Sequence, residues 1–245
     1  MKYFLLALQF LTILPVRLTG RIKDEDVARS LLTFPLVGLC IGSILAAFAS
    51  VFSFLPASVV AALILILSAW FTGGLHLDGF ADSCDGLYGQ FSQQKRLANM
   101  KDSHIGAMGA IGLICLLLLK FSLISNISYK VLWKALIMMG IFSRWTQVCS
   151  CYSTKYLREK GTAKQFIDGT RLKHVIVGAL FVLTIFLLLV QVKGVYIFFL
   201  SCIAVIAFAG FIRKRLGGMT GDTIGAVNEI AEVSCLFFTL IILEI

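Results

Sequence analysis

The segment ASVVAALILILSAWFTGGLHLDGFADSCDG, residues 57–86, decides how the chain is read. Residues 57–75 hold no charged side chain. They are long enough to cross the ~30 Å hydrocarbon core of a bilayer, which takes ~20 apolar residues. The residues that follow bring Asp78, Asp82 and Asp85. An apolar run therefore leads straight into an acidic one. Charge at membrane depth is costly, so such a cluster marks a functional site.

The rest of the chain agrees with a membrane setting. Of 245 residues, 59% are hydrophobic and 14% charged, against ~45–50% and ~25% in soluble domains. Mean hydropathy is +0.93. These values exclude both a soluble domain and disorder. Apolar runs at about 32–54, 57–75, 105–125, 131–150, 174–192, 194–212 and 229–245 predict an all-α polytopic bundle of about seven transmembrane helices, one domain over residues 1–245. Met1 to Pro15 lacks a cleavage site before Arg17, so residues 1–30 are read as an N-terminal segment at the membrane interface. The seven cysteines sit mostly in apolar runs, and Cys149 and Cys151 have neither a second pair nor a nearby His, so zinc is not expected.

Basic residues alternate between connections. Residues 1–30 carry Lys2, Arg17, Arg21, Lys23 and Arg29; 76–104 carry Lys95, Arg96 and Lys101. Residues 151–173 carry Lys155, Arg158, Lys160, Lys164, Arg171 and Lys173, and 213–228 carry Arg213, Lys214 and Arg215. The turns near Pro56, Ser125–Lys130 and Lys193-Gly194 carry few. The positive-inside rule then places the N-terminus in the cytoplasm and the C-terminus outside. On this topology only Glu244 of the thirteen carboxylates lies outside.

Asp78, Asp82 and Asp85 are spaced i, i+4, i+7 and share one helical face. Three anions on one face ask for a cation, and Mg²⁺ takes a few carboxylates plus water and phosphate oxygens. Asp78 and Asp82 are the first expected metal ligands; Asp85 is a further ligand or the general base. His76 contacts phosphate, acts as the base, or is structural. A second cluster, residues 217–232, reads as a glycine-rich loop able to turn N–H groups toward phosphate. It holds Asp222 and Asn228, with Glu229 and Glu232 at the entrance to the last span. Those two glutamates complete a second metal site or orient an acceptor. In Lys101-Asp102-Ser103-His104-Ile105-Gly106, Asp102 or Ser103 is expected to cap the next helix and His104 to meet phosphate or the interface. Gly106, Gly109 and Gly112 form a small-residue packing stripe. Arg144, inside a span, is expected to pair with a carboxylate or a phosphate. The active-site segments are thus 76–104 and 213–232. The inventory suits metal-assisted transfer at a pyrophosphate between a nucleotide-activated donor and a hydroxyl acceptor. Nucleic acid is not an expected partner.

The string Gly73–Gly86 resembles the signature of the cobalamin synthase (adenosylcobinamide-GDP ribazoletransferase) family. So do Phe10–Arg17, Phe34-Pro35-Leu36-Val37-Gly38, Lys101–Gly106 and Gly218-Met219-Thr220-Gly221-Asp222 running on to Glu229 and Glu232, so that the resemblance covers residues 5–235. His104 stands where many relatives are expected to carry Arg, which favours phosphate contact. The resemblance implies an enzyme of the bacterial inner membrane with its active site facing the cytoplasm. It implies Mg²⁺ as cofactor, adenosylcobinamide-GDP as donor, and α-ribazole or its 5′-phosphate as acceptor. The ribazole 3′-hydroxyl would attack the phosphorus on the cobinamide arm and GMP would leave. Two other readings stand beside it. A CDP-alcohol phosphotransferase would show D-G-x2-A-R-x8-G-x3-D-x3-D, which Asp78-Gly79-Phe80-Ala81 begins but does not continue. A divalent-cation transporter would hold its charges near the midplane and show repeated halves.

Overall fold

A computed structural model describes residues 1–16, 22–88, 92–102, 104–158 and 161–245. The readings made for Arg17, Arg21, Ser103 and Lys160 lie outside the described residues. The described chain is helical: α1 (Lys2–Leu11), α2 (Asp24–Ser30), α3 (Phe34–Val51), α4 (Ala57–Thr72), α5 (Leu75–Leu87), α6 (Gln93–Asn99), α7 (Ala107–Asn126), α8 (Tyr129–Tyr152), α9 (Thr162–Gly169), α10 (Leu172–Val190), α11 (Val192–Leu216) and α12 (Gly221–Glu244).

Five stretches are long and apolar enough to cross a bilayer: Asp24–Val51, Ala107–Asn126, Leu172–Val190, Val192–Leu216 and Gly221–Glu244. The pair α4 and α5, bent by 92°, makes a sixth if taken as one span. The chain is therefore a multi-pass membrane protein. The remaining expected span, 131–150, forms as the 24-residue α8 but stands outside the apolar set. Its polar residues Ser143, Arg144, Thr146 and Gln147 are buried among other helices rather than turned to lipid. The lipid-facing surface is supplied by exposed side chains such as Leu118, Leu180, Leu188, Ile203 and Ile206.

α8 is the centre of the bundle, packed against α3, α12 and α10. Small residues let it sit close. A Cβ on Gly38 would strike the Gly140 carbonyl, and one on Gly42 would come within 2.6 Å of the Leu136 carbonyl oxygen. These contacts join α3 to α8 backbone to backbone, as small residues do between membrane helices. The expected stripe at Gly106, Gly109 and Gly112 does the same for α7 on α5: a Cβ on Gly112 would lie 2.5 Å from Cys84 Sγ.

The bend between α4 and α5 needs glycine. Gly73 and Gly74 are both left-handed, with φ of 59° and 68°, a region that side chains with a Cβ avoid. The second close approach, Gly79 against the Asp222 backbone, lays α5 across the start of α12.

The two sets of connections segregate as their charges suggest. At one end Gln93 donates to the Leu216 carbonyl, Arg213 to Ser153, Arg158 to Met100 and Gln165 to Asp24. At the other, Tyr129 donates to the Leu55 carbonyl and Ser128 to Glu244. α1 belongs to the first end. Its ten residues cover about 15 Å, half of a bilayer core, and bury Ala7 and Leu11 against the bundle.

Two boundaries differ from the sequence reading. The last helix begins at Gly221, not 229, because Thr220 caps it reciprocally with Thr223. Residues 221–228 are thus helix, not a glycine-rich loop, and only 217–220 separate α11 from α12. Glu229 and Glu232 accordingly lie about 12 and 17 Å inside α12 by helical rise rather than at its entrance. The break between α10 and α11 falls at Gln191, with φ of 54°, instead of Lys193-Gly194.

Gly140→Leu is expected to force α3 and α8 apart and lower the thermal midpoint of the detergent-solubilised protein, since overpacking costs about 1–3 kcal/mol. Gly210→Ala, with nothing within 4 Å of the new Cβ, should leave that midpoint unchanged or slightly higher.

Candidate active site

A cavity of about 200 Å³ opens where α5, α8, α12 and the segment after α8 meet. Its polar lining includes His76, Asp78, Gln147, Tyr156, Arg158 and Asp222. An aromatic wall closes one side. Phe166 of α9 stands 4.7 Å from Phe10 of α1 and 5.4 Å from Phe34 of α3, centroid to centroid.

Backbone pairing places the one guanidinium of this wall. Leu157 N donates to the Met219 carbonyl and Met219 N to the Lys155 carbonyl, at 3.1 and 3.0 Å. This two-bond clamp pins residues 155–157 to the turn before α12. Arg158 then reaches Asp222, Nη2 to Oδ2 at 2.5 Å, while its Nε is buried with no partner among the described residues. Burial pushes the Tyr156 phenol above its usual range, with Arg158 opposing that shift.

Asp78 and Asp82 of α5 and Asp222 of α12 are close enough to repel one another, with Arg158 the opposing cation. The third acid of the i, i+4, i+7 set goes elsewhere. Asp85 accepts from Gly106 N at 2.7 Å and from Gly109 N at 2.8 Å, so both of its oxygens serve the first turn of α7. That corrects the expected cap: α7 begins after Gly106 and is capped from α5, not by Asp102. Asp102 instead turns to its neighbour His104, accepting from its N at 3.0 Å and meeting its Nδ1 at 2.8 Å. The His104 backbone N–H, followed by its ring, holds the Asp102 carboxyl below the usual range. Both side chains are exposed, and neither lines the cavity.

Behind the cavity lies a sealed polar cluster. Lys120 Nζ donates to Glu229 at 2.5 Å and Glu232 at 2.6 Å. Arg144 Nη1 donates to Glu232 at 2.6 Å. Arg144 thus pairs with a carboxylate, and its Nε and Nη2 have no partner among the described residues. Two cations match two carboxylates, all at most 4% exposed. Glu229 and Glu232 stand apart from Asp78 and Asp222, bordering a separate void of about 20 Å³. Asn228 and Gln147 continue the cluster to His76.

Among the described residues, no three His, Cys, Asp or Glu side chains form a ready-made metal cage. Mg²⁺ is seldom bound that way; it uses one or two carboxylates and fills its shell with water and substrate phosphate. Asp78 and Asp222 on the cavity wall, with Asp82 one turn further along α5 and outside the lining, carry more negative charge than Arg158 offsets and fit that habit.

The sequence reading missed Lys120, Gln147 and Tyr156 as parts of the site, and it took Arg158 only as one of the basic residues of 151–173, read first as topology and headgroup contacts and second as a hold on the anionic donor. Lys120 left the clearest signal, a lone cation in the run Leu116–Phe121 of an apolar span.

The family model described as cobalamin-5-phosphate synthase matches residues 3–240. The chain is 38% identical to an adenosylcobinamide-GDP ribazoletransferase of Geotalea daltonii, with 96% of each chain covered. It is 37% identical to one of Acinetobacter baumannii, covering 99% of this chain and 98% of that one. A third, from Acetivibrio thermocellus, is 34% identical, with 95% and 94% covered. No solved structure matches.

Lys120→Met leaves two buried carboxylates facing one cation, a change that costs about 3–5 kcal/mol. It should sharply reduce the yield of folded, monodisperse protein. Adding Glu229→Gln to that variant restores charge balance and should recover much of the yield, read by size-exclusion chromatography and thermal unfolding.

Proposed function

The chain belongs to the cobalamin-5-phosphate synthase family, and from that premise we infer that it is an adenosylcobinamide-GDP ribazoletransferase performing the final step of cobalamin biosynthesis. The observation that carries the chemistry is the cavity in which Asp78 and Asp222 face Arg158 beside an aromatic wall.

In this reading the donor's pyrophosphate lies between the acidic wall and Arg158, whose side chain lines the cavity and would donate to a phosphate oxygen. The acceptor is α-ribazole or its 5′-phosphate, its flat base against Phe10, Phe34 and Phe166. At about 200 Å³ the cavity takes the reacting ends, and the bulk of the corrinoid stays at its mouth. Asp78 and Asp82 are the residues that would hold Mg²⁺. Bound there, the ion would neutralise the pyrophosphate and stabilise the leaving group. The 3′-hydroxyl of the ribazole forms the new O–P bond as the bond to GMP breaks. With Arg158 on Asp222 Oδ2, we assign to Oδ1 the role of taking the hydroxyl proton and passing it to water. Asp85 is set as the brace between α5 and α7. Asp102 and His104, exposed beside α7, are placed to meet the outer phosphate or the interface. Glu229, Glu232, Lys120 and Arg144 support the site from behind. The basic end of the bundle faces the cytoplasm of the bacterial inner membrane, following the positive-inside rule.

Product formation tests this. Purified protein in lipid is given adenosylcobinamide-GDP, α-ribazole and Mg²⁺, and GMP and cobalamin are followed by chromatography. One GMP per cobalamin is expected, with turnover abolished by chelation and lowered about 100-fold or more in Asp82→Asn. Full turnover of Asp82→Asn at saturating Mg²⁺ would sink the metal assignment.

A further inference from the structure

His76 lies 4% exposed in the cavity lining, next but one to Asp78. Its hydrogen-bond partner is Gln147, Nε2 to Nε2 at 3.2 Å. Which of the two nitrogens donates is settled from the far end of the chain of contacts. Asn228 approaches Glu232 Oε1 at 3.1 Å and Glu229 Oε1 at 3.3 Å. Glu232, the nearer of the two, receives both Lys120 and Arg144 at 2.6 Å, and Lys120 reaches Glu229 as well. A carboxylate only accepts, so the Asn228 amide must turn its Nδ2 toward them. Its Oδ1 is then the atom 2.8 Å from Gln147, which obliges Gln147 to present its NH₂ there. The same Nε2 has a second hydrogen, and that hydrogen points to His76. An N–H cannot share its axis with another N–H. His76 Nε2 must therefore accept, and the ring proton sits on Nδ1. Nδ1 makes no hydrogen bond among the described residues, and the His76 side chain lines the cavity.

We propose that Gln147 and Asn228 are positioning residues that transmit the fixed orientation of the Lys120–Glu229–Glu232–Arg144 cluster to His76, locking it as the Nδ1–H tautomer and making it a hydrogen-bond donor into the cavity. This assigns His76 the donor role and not that of the base. A donor aimed at the space beside Asp78 suits a phosphate oxygen, and so the functional half of the proposal rests on the ribazoletransferase reading. The tautomer itself does not.

The test uses full-length protein in lipid bilayers, labelled with ¹³C,¹⁵N-histidine and examined by solid-state NMR. The His76 signals are those lost in His76→Gln. In the wild type the protonated nitrogen should be the one bonded to Cγ, which is Nδ1. Gln147→Leu removes the donor to Nε2 and should produce a mixture of tautomers. Asn228→Leu leaves Gln147 in place but frees its amide to turn, and should do the same, which covers the case in which one variant fails to fold. In parallel, kcat/KM for adenosylcobinamide-GDP should fall about tenfold in Gln147→Leu, as for loss of one aligned hydrogen bond. An Nε2–H ring in the wild type, or an unchanged Nδ1–H ring in both variants, overturns the proposal. An Nδ1–H ring that responds to both substitutions in a protein making no cobalamin upholds the relay and removes the reaction assigned to it. Cobalamin formation with an Nε2–H ring removes the relay alone.

Discussion

Two lysine- and arginine-borne charges and two glutamates, sealed from water between α7, α8 and α12, set the terms for everything around them. A charge inside a membrane protein has to find its partner, because neither lipid nor a packed core solvates it. Lys120 and Glu229 are 109 residues apart in sequence, so satisfying them fixes three helices in rotation and in height at once. Such clusters seldom add net stability over an apolar equivalent. What this one supplies is a single register: if α12 slid by a turn, both glutamates would lose their cations. The amides of Asn228 and Gln147 then inherit a defined orientation from the charges.

Close approach is the second constraint, and it works in two distinct ways. Between α3 and α8, and between α5 and α12, the absence of a Cβ lets backbones meet. At Gly73 and Gly74 the same residue type serves conformation, turning the chain through the 92° that separates α4 from α5. Together these explain how an acidic helix comes to lie across the N-terminus of another. Without the bend α5 would continue through the bilayer, and Asp78 and Asp82 would have no Asp222 opposite them. Asp85 shows the same economy. It satisfies the amides that α7 leaves open, so the helix that carries the candidate metal ligands is tied to its neighbour by one of its own acids.

Much of this was legible in the residues. Apolar runs located the spans, and alternating basic connections located the two ends of the bundle. The i, i+4, i+7 aspartates marked α5. What escaped was long-range. The 217–232 segment looks like a loop because its glycines are locally permissive, yet Thr220 and Thr223 start a helix there, and Gly79 packs against it. Glu229 and Glu232 read as ligands because their partner Lys120 is hidden in an otherwise unbroken apolar run. Asp85 shares a face with Asp78 and Asp82 in sequence, but α7 arrives on only part of that face. α8 looked like an ordinary span, whereas its polar residues mark it as the interior helix. In each case local pattern named the element, and a contact with a residue far off in the sequence, or a neighbour's backbone, decided its use.

The aromatic wall has a consequence for biogenesis. Phe10 belongs to α1, and Phe166 to α9, which is made after α1 to α8. At ~5–20 residues per second the interval between them is about 8–30 s. Throughout it, α1 can pack on α2 and α3, but Phe10 lacks the Phe166 ring that it finally meets. The cavity is consequently a late product of translation, completed from both ends of a long stretch of chain. A nascent chain stalled anywhere before α9 would have its charge cluster only partly built and its cavity open on one side.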